Sequence, residues 1–179
     1  MMDSTAIARR MNPRSTMLRG FTLVEILIVV IILGILAAIV IPQFSNAAQG
    51  ARETSLKETT SHLRSQITVY KSQHRDIAPG FANGATTATS ADFLEQMTNY
   101  SDESGNVSTT PSAVYKYGPY LPKTPVNPLS NLGTMTIVNG GGAIPSADNT
   151  TGWIYKPDTL EIMPNSTGTD ANGVAFASY

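Results

Sequence analysis

The apolar segment near the N-terminus constrains the chain more than any other feature. Between Phe21 and Ile41 only Thr22 and Glu25 are polar, and Pro42 follows directly. A helix of this length spans about 30 Å at about 1.5 Å per residue, which is the thickness of a bilayer's hydrocarbon core. The segment is therefore predicted to be a transmembrane helix, since a small soluble domain cannot bury so long an apolar surface.

Glu25 is the one charged residue of that segment. A carboxylate in hydrocarbon costs about 2.5 to 3.5 kcal/mol on insertion scales, so such a group usually marks a function. Cleavage between Gly20 and Phe21 would create an α-amine four residues before Glu25, with a reference pKa of about 7.7 to 8.0. This amine and the carboxylate could neutralise each other, within one chain or between neighbouring chains.

A basic leader, the sequence GFTLVE at residues 20–25 and an apolar helix closed by Pro42 together resemble the class III signal of type IV prepilins and type II secretion pseudopilins. The resemblance implies that a membrane-embedded prepilin peptidase cleaves after Gly20 and N-methylates Phe21. It also implies that Glu25 is the carboxylate used in filament assembly.

Gly34 and Pro42 are two further positions of interest in the apolar helix. Gly34 and Ala38 form a small-xxx-small pair that lets helices approach closely in lipid, although small residues are common in membrane helices generally. Pro42 lacks an N–H and its ring clashes with the carbonyl of residue 38, so the helix is expected to kink or loosen there. In the filaments that this chain resembles, the segment between a glycine and a proline at these positions unwinds on assembly.

Charge and cysteine content narrow the possible partners. The chain has 12 basic and 13 acidic side chains; loss of residues 1–20, with four arginines and one acid, leaves 8 and 12. The sequence has no basic stripe of the kind that indicates nucleic-acid binding.

The four arginines of the leader predict, by the positive-inside rule, that the leader is cytoplasmic and that the C-terminal domain is exported to the periplasm. The leader is long for the family, and Met11 or Met17 is an alternative start to Met1. The absence of cysteine excludes a disulfide.

Beyond Gln43 the pattern becomes that of an amphipathic helix. One helix is predicted from about residue 22 to 75, ending before Pro79 and Gly80. Its apolar stripe comprises Phe44, Ala47, Ala48, Ala51, Leu56, Leu63, Ile67 and Tyr70.

The remaining residues predict a small domain with short elements and long loops. Ser90 is the predicted N-cap of a short helix that reaches Met97, with Phe93, Leu94 and Met97 facing inward. Residues 101–112 are predicted to be a loop, and four prolines make 117–128 an extended loop. Strands are predicted at 134–138, followed by a turn at Gly140–Gly142, and at 152–157 and 160–165, which form a hairpin. The tail 166–179 reads as a loop or a last edge strand.

The predicted fold class is α+β. The resemblance implies the type IV pilin-like fold, in which one long N-terminal helix packs on a small antiparallel sheet. The predicted organisation is a leader at 1–20, a transmembrane or filament-core helix at 21–42, an amphipathic helix at 43–76, and a globular periplasmic domain at 77–179.

No catalytic constellation is evident in the sequence. His62 and His74 lie about 120° apart around a helix, so they do not share a face. The glycine run at 140–142 lacks the Lys-Ser/Thr of a phosphate loop. The chain is therefore predicted not to be an enzyme, and any ATP used in assembly must be hydrolysed by another protein.

Calcium is the one cofactor that the resemblance suggests, because major pseudopilins often bind one Ca²⁺ in a C-terminal loop. Calcium prefers several hard oxygen ligands. None of the polar residues here has the spacing of a known calcium loop, and solvated turn residues are the alternative reading. The candidates are Asp148, Asn149, Thr150, Asp158, Asp170 and Asn172.

The resemblance implies a structural subunit of a type II secretion pseudopilus. It would be a homopolymer that works with minor pseudopilins, an inner-membrane assembly platform and its separate ATPase, and would drive protein export across the outer membrane. The Gly-Pro-Tyr-Leu run at 118–121, the Pro-Asn pair at 164–165 and the lack of cysteine favour this function. The alternatives are a type IV pilin of a surface fibre, for adhesion, motility or DNA uptake, and a membrane-anchored periplasmic enzyme or binding domain.

Overall fold

The computed structural model describes residues 20–179, so the predicted leader up to residue 19 lies outside the described part. Helix α1 runs from Leu23 to Gln73, within two residues of the predicted bounds, and it continues through Pro42 rather than ending there. The chain divides into two compact units after Phe44, two residues beyond that proline. Residues 23–44 of α1 form the apolar segment, and residues 45–179 form the globular unit.

The apolar segment presents its side chains to the surroundings on every side. Its large apolar residues from Leu23 to Phe44 are all exposed; Ile31, for example, is 53% exposed and Phe44 is 72% exposed. In the described part of the chain, α1 is the one helix long and apolar enough to cross a membrane, judged by length and composition. Such a surface requires lipid or other apolar helices around it, because exposing it to water is costly.

In the globular unit, α1 contributes one buried face to the core. The spacing of Leu56, Leu63, Ile67 and Tyr70 places these residues on one side of the helix, and all four are buried. Thr60 completes this face, and its hydroxyl donates to the carbonyl of Leu56 at 2.7 Å, which satisfies its polar group. The earlier part of the predicted apolar stripe is exposed instead of packed: Phe44, Ala47, Ala48 and Ala51.

Helix α2, Ser90–Thr98, packs Phe93 and Met97 into the core, as predicted, with Leu94 partly buried against it. Its N-cap is Thr89 rather than the predicted Ser90, because the Thr89 hydroxyl accepts from the backbone N–H of Asp92 at 3.1 Å. The side chain of Gln96 is buried and binds three backbone groups, the N–H of Gly80 and the carbonyls of Phe81 and Gly105. This amide joins α2 to the loops on both sides of it.

The strands form two small sheets. Strands β1, Tyr100–Ser101, and β2, Val107–Ser108, pair antiparallel, so part of the predicted loop 101–112 is a short ribbon. Strands β3, Met135–Ile137, β4, Trp153–Lys156, and β5, Glu161–Pro164, form the second sheet in that order. The β4–β5 pair is the predicted antiparallel hairpin.

The pairing of β3 differs from the predicted antiparallel arrangement, and the sheet is mixed. β3 lies parallel to β4, with Met135 opposite Trp153. Parallel neighbours need a crossover, so the glycines at 140–142 belong to a long connection and do not make the predicted hairpin turn. Trp153 is fully buried, and its ring N–H donates to the carbonyl of Pro125 at 3.1 Å.

The loops and the tail close the core. In the proline-rich loop the backbone N–H groups of Tyr120 and Leu121 both donate to the carbonyl of Met97. The tail forms a short 3₁₀ helix at Phe176–Ser178 and an isolated bridge between Thr169 and Ala175, rather than an edge strand. The α+β fold with one long N-terminal helix is confirmed.

Candidate functional site at the start of the apolar helix

Thr22 and Glu25 cap the start of α1 together. The backbone N–H of Glu25 donates to the Thr22 hydroxyl oxygen at 3.2 Å, and the backbone N–H of Thr22 donates to the Glu25 carboxylate at 3.4 Å. This reciprocal arrangement is a capping box, and it satisfies two N–H groups that a helix start leaves unpaired. The role of Thr22 was not among the predictions, although its Thr-x-x-Glu spacing is the sequence signal of a capping box.

The capping box fixes where the one charge of the apolar segment lies. The carboxylate of Glu25 folds back to residue 22, in the first turn of the helix. A negative charge there is favourable because the unpaired N–H groups give the helix start a partial positive charge. The carboxylate is held next to the position where cleavage after Gly20 would create an amine on Phe21.

Gly20 and Phe21 both precede the helix and are exposed, with Phe21 at 77% exposure. Their peptide bond lies outside the hydrogen-bonded turns of α1, which begins at Leu23. A protease needs an accessible backbone outside regular structure, and this bond meets that condition. Processing at this position remains a prediction.

Gly34 and Pro42 lie on the exposed apolar segment. A Cβ built on Gly34 would meet nothing within 4 Å, so the backbone of a neighbouring helix has open access at this point. Pro42 is helical in this structure. Unwinding between these two residues remains a prediction.

The proposed calcium ligands are spread over separate turns of the globular unit. The carboxylate of Asp148 accepts from the Thr150 backbone and hydroxyl and from the Asn165 amide, while the Asn149 amide donates to Thr167. Asp170 and Asn172 lie on another turn, where the backbone N–H of Asn172 donates to Asp170.

Asp158 follows β4 and lines a cavity of about 510 Å³, together with Lys71 of α1 and Arg75, which comes two residues after the end of α1. Within residues 20–179, no group of three or more His, Cys, Asp or Glu side chains could hold a metal ion. The three acidic candidates, Asp148, Asp158 and Asp170, therefore do not form such a group.

The two histidines have different environments. His62 is exposed, whereas His74 is buried, stacks on the Tyr70 ring at 3.7 Å, and binds the Ser101 hydroxyl at 2.9 Å. Burial lowers the pKa of His74. Its other ring nitrogen contacts the carbonyl of Tyr70 at 2.7 Å, so this histidine is a polar link within the core.

Comparison with known proteins identifies the family. The family described as "Prokaryotic N-terminal methylation motif" matches residues 18–41. The type IV narrow pilus major component of Thermus thermophilus is 30% identical over 103 residues, which cover 56% of this chain and 89% of the relative. The chain belongs to the type IV pilin family.

Two further relatives match over shorter shares of their own length. The type IV major pilin protein of Myxococcus xanthus is 32% identical over 109 residues, 61% of this chain and 38% of the relative. The type II secretion system core protein G of Pseudomonas aeruginosa is 44% identical over 52 residues, 29% of this chain and 37% of the relative. No solved structure gives a significant match. The names of these relatives refer to type IV pili and to a type II secretion system, so similarity to them does not separate the two assemblies.

Proposed function

We propose that the chain is anchored in the bacterial inner membrane by the apolar segment and polymerises through the same segment into a filament. The observation that carries this proposal is the exposed apolar surface of α1 together with the capped Glu25 at its start. Prepilin peptidase is the proposed processing enzyme, with cleavage between Gly20 and Phe21 and methylation of Phe21. The globular unit would lie in the periplasm.

The free energy of burying the apolar segment is similar in lipid and in a filament, which allows the subunit to move between them. Burying one large aliphatic side chain is worth about 1.5 to 3 kcal/mol relative to water. The apolar segment carries a long series of such side chains, so it is stable either in lipid or among the helices of other subunits. The two environments are similar in polarity, and a separate ATPase on an assembly platform can therefore drive the transfer.

Glu25 would make the filament the more favourable of these two environments. In a filament the carboxylate can pair with the methylated amine of a neighbouring Phe21, which neutralises two charges in an apolar surrounding. The capping box prepares this contact because it already holds the carboxylate at the helix start. Extraction without that pair would leave an unpaired charge.

Of the two filaments that such a subunit could build, we favour the type II secretion pseudopilus, with minor pseudopilins as further partners. Two motifs that resemble major pseudopilins have structural roles in this chain. Tyr120 and Leu121 anchor the proline-rich loop on Met97, and the Asn165 side chain after β5 binds Asp148 and Thr151. The lack of cysteine also supports this proposal.

A type IV pilus is the second candidate. The pilin relatives from M. xanthus and T. thermophilus match over 109 and 103 residues, whereas core protein G matches over 52. Similarity that extends beyond the apolar segment favours a surface fibre.

Substitution of Glu25→Ala tests the filament itself. We expect processed monomers to remain in the membrane and filament assembly to fail, because the Phe21 amine of the neighbour loses its partner. Glu58→Ala is the matched control, since Glu58 is an exposed carboxylate further along α1. Normal filaments from Glu25→Ala would contradict the proposal and favour a membrane-anchored binding domain.

Deletion of the gene separates the two filaments. Loss of protein secretion without loss of surface fibres supports the pseudopilus, and loss of fibres with secretion intact supports the pilus. Neighbouring genes for a secretin and a traffic ATPase, without a retraction ATPase, would support the pseudopilus.

Mass spectrometry of the N-terminus tests whether the mature chain begins with methylated Phe21.

A further inference from the structure

The side chain of Asp170 is saturated by hydrogen bonds from within the globular unit. Its Oδ1 accepts from the backbone N–H of Asn172 at 2.8 Å and of Val174 at 2.9 Å. Its Oδ2 accepts from the Lys57 ammonium at 3.2 Å and from the Tyr179 hydroxyl at 2.8 Å. The side chain is only 3% exposed, so water does not compete strongly for these contacts.

Lys57 holds the same turn in a second way. Its ammonium lies 4.3 Å from the centre of the Tyr179 ring, within the range of a cation–π contact. The hydrogen bond to Asp170 raises the pKa of Lys57, so the ammonium stays charged. Lys57, Asp170 and Tyr179 thus form one cluster of side chains in contact.

Arg64 anchors the tail on the same side of α1. It lies seven residues after Lys57, which is two helical turns, and its guanidinium donates to the carbonyl of Ile162 at 3.0 Å and to the carbonyl of Tyr179. Phe176 is buried, and its ring meets that of Tyr179 edge-on. Two cations on one helix and one buried aromatic ring therefore hold residues 168–179.

The donor set around Asp170 does not fit a calcium ion. Calcium requires about six to eight oxygen ligands at about 2.3 to 2.6 Å. Here both carboxylate oxygens face hydrogen-bond donors, one of them an ammonium that would repel a divalent cation. Asp148, another acidic candidate, likewise accepts three hydrogen bonds from Thr150 and Asn165.

We infer that the Lys57 ammonium serves as the internal cation of the C-terminal turn, so that residues 168–179 are held on α1 without a metal ion. The turn then depends on a contact between residues 113 positions apart in the sequence. The stability of the globular unit should be independent of calcium and sensitive to the removal of one lysine.

The experiment uses the full chain in detergent micelles and compares Lys57→Met with Lys71→Met. Both variants remove an ammonium from α1 and keep an unbranched side chain, but the partner of Lys71 is the highly exposed Asp76. We expect Lys57→Met to lower the thermal midpoint by about 2 to 6 °C and to speed proteolytic cleavage within 168–179, and Lys71→Met to change neither.

Calcium is tested on the same samples by calorimetry in chelator and in about 1 mM CaCl₂. An unchanged wild-type midpoint supports the inference, and a rise on adding calcium would overturn it. Equal effects of Lys57→Met and Lys71→Met would also overturn it. Tyr179→Phe provides a milder variant: it keeps the ring over Lys57, deletes one hydrogen bond to Asp170, and should speed the same cleavage less than Lys57→Met does.

Discussion

The two parts of α1 use apolar residues for opposite purposes. Before Phe44 the large apolar residues face outward on all sides, whereas after Leu56 the core-facing residues follow a spacing of three and four and lie on one buried face. The first part has few polar groups to limit its contacts, so it suits surroundings of the same chemistry on every side. The second part has a charged opposite face and suits a fixed partner, which is the rest of the globular unit.

The largest expected difference in stability comes from replacing one leucine by alanine in each part of α1. Leu63→Ala should lower the free energy of unfolding of the globular unit by about 2 to 5 kcal/mol, because Leu63 is fully buried and a cavity would remain. Leu33→Ala should leave that free energy within about 0.5 kcal/mol, since Leu33 is 57% exposed. Urea unfolding of both variants in detergent measures the difference. Equal losses would show that the two parts of α1 are not distinct.

A smaller effect is expected from the carboxylate of Asp170, which is buried against the second part of α1. Hydrogen bonds from the backbone of Val174, the Tyr179 hydroxyl, the backbone of Asn172 and the Lys57 ammonium hold the pKa of Asp170 well below its usual range. A depressed folded pKa stabilises the protein fully above the unfolded value of about 3.9, and this stabilisation is lost as the pH falls below that value towards the folded pKa.

Asp170→Asn tests this dependence. The variant should be less stable than the wild type at neutral pH, and the difference should shrink between about pH 4 and pH 2, because the carboxylate of the unfolded wild-type chain is protonated first. Urea midpoints across that range measure it. Asp76→Asn, at an exposed partner of Lys71, is the control and should keep the wild-type profile. A constant difference at every pH would mean that the charge of Asp170 is not what stabilises the turn.

The smallest expected effect lies at the start of the apolar segment. Thr22→Ala removes the hydroxyl that accepts from Glu25, and loss of a cap costs about 0.5 to 2 kcal/mol of local helix stability. Amide hydrogen exchange should therefore speed up at Glu25 and its neighbours, with no change in the globular unit. Thr22→Ser retains a capping hydroxyl and should behave like the wild type. Unchanged exchange in Thr22→Ala would exclude the capping box as the element that orders this end.

The sequence predicted those elements that local rules determine. The bounds of α1 follow from the apolar run, the spacing of Leu56 to Tyr70 and the Pro79-Gly80 stop, and the β4–β5 hairpin follows from its alternating residues and short turn. The shift of the α2 N-cap from Ser90 to Thr89 is a one-residue error between two good capping residues.

The larger failures involve distant contacts. Nothing local in Met135–Ile137 distinguishes a parallel from an antiparallel neighbour, and the glycines at 140–142 have the composition of a turn in either case. The ion pair between Lys57 and Asp170 joins residues 113 positions apart, so no local sequence pattern predicts it. For the candidate site, the sequence alone singled out Gly20, Phe21 and Glu25, while the capping role of Thr22 is a local one that its Thr-x-x-Glu spacing also indicates.

The burial of Trp153 has a practical consequence. It is the one tryptophan in the chain, and its indole is enclosed beside Pro125 in the globular unit. Intrinsic fluorescence excited selectively at tryptophan therefore reports on this unit alone, while the apolar segment contributes no emission. The integrity of the globular unit can thus be followed optically in micelles or vesicles without attaching a dye.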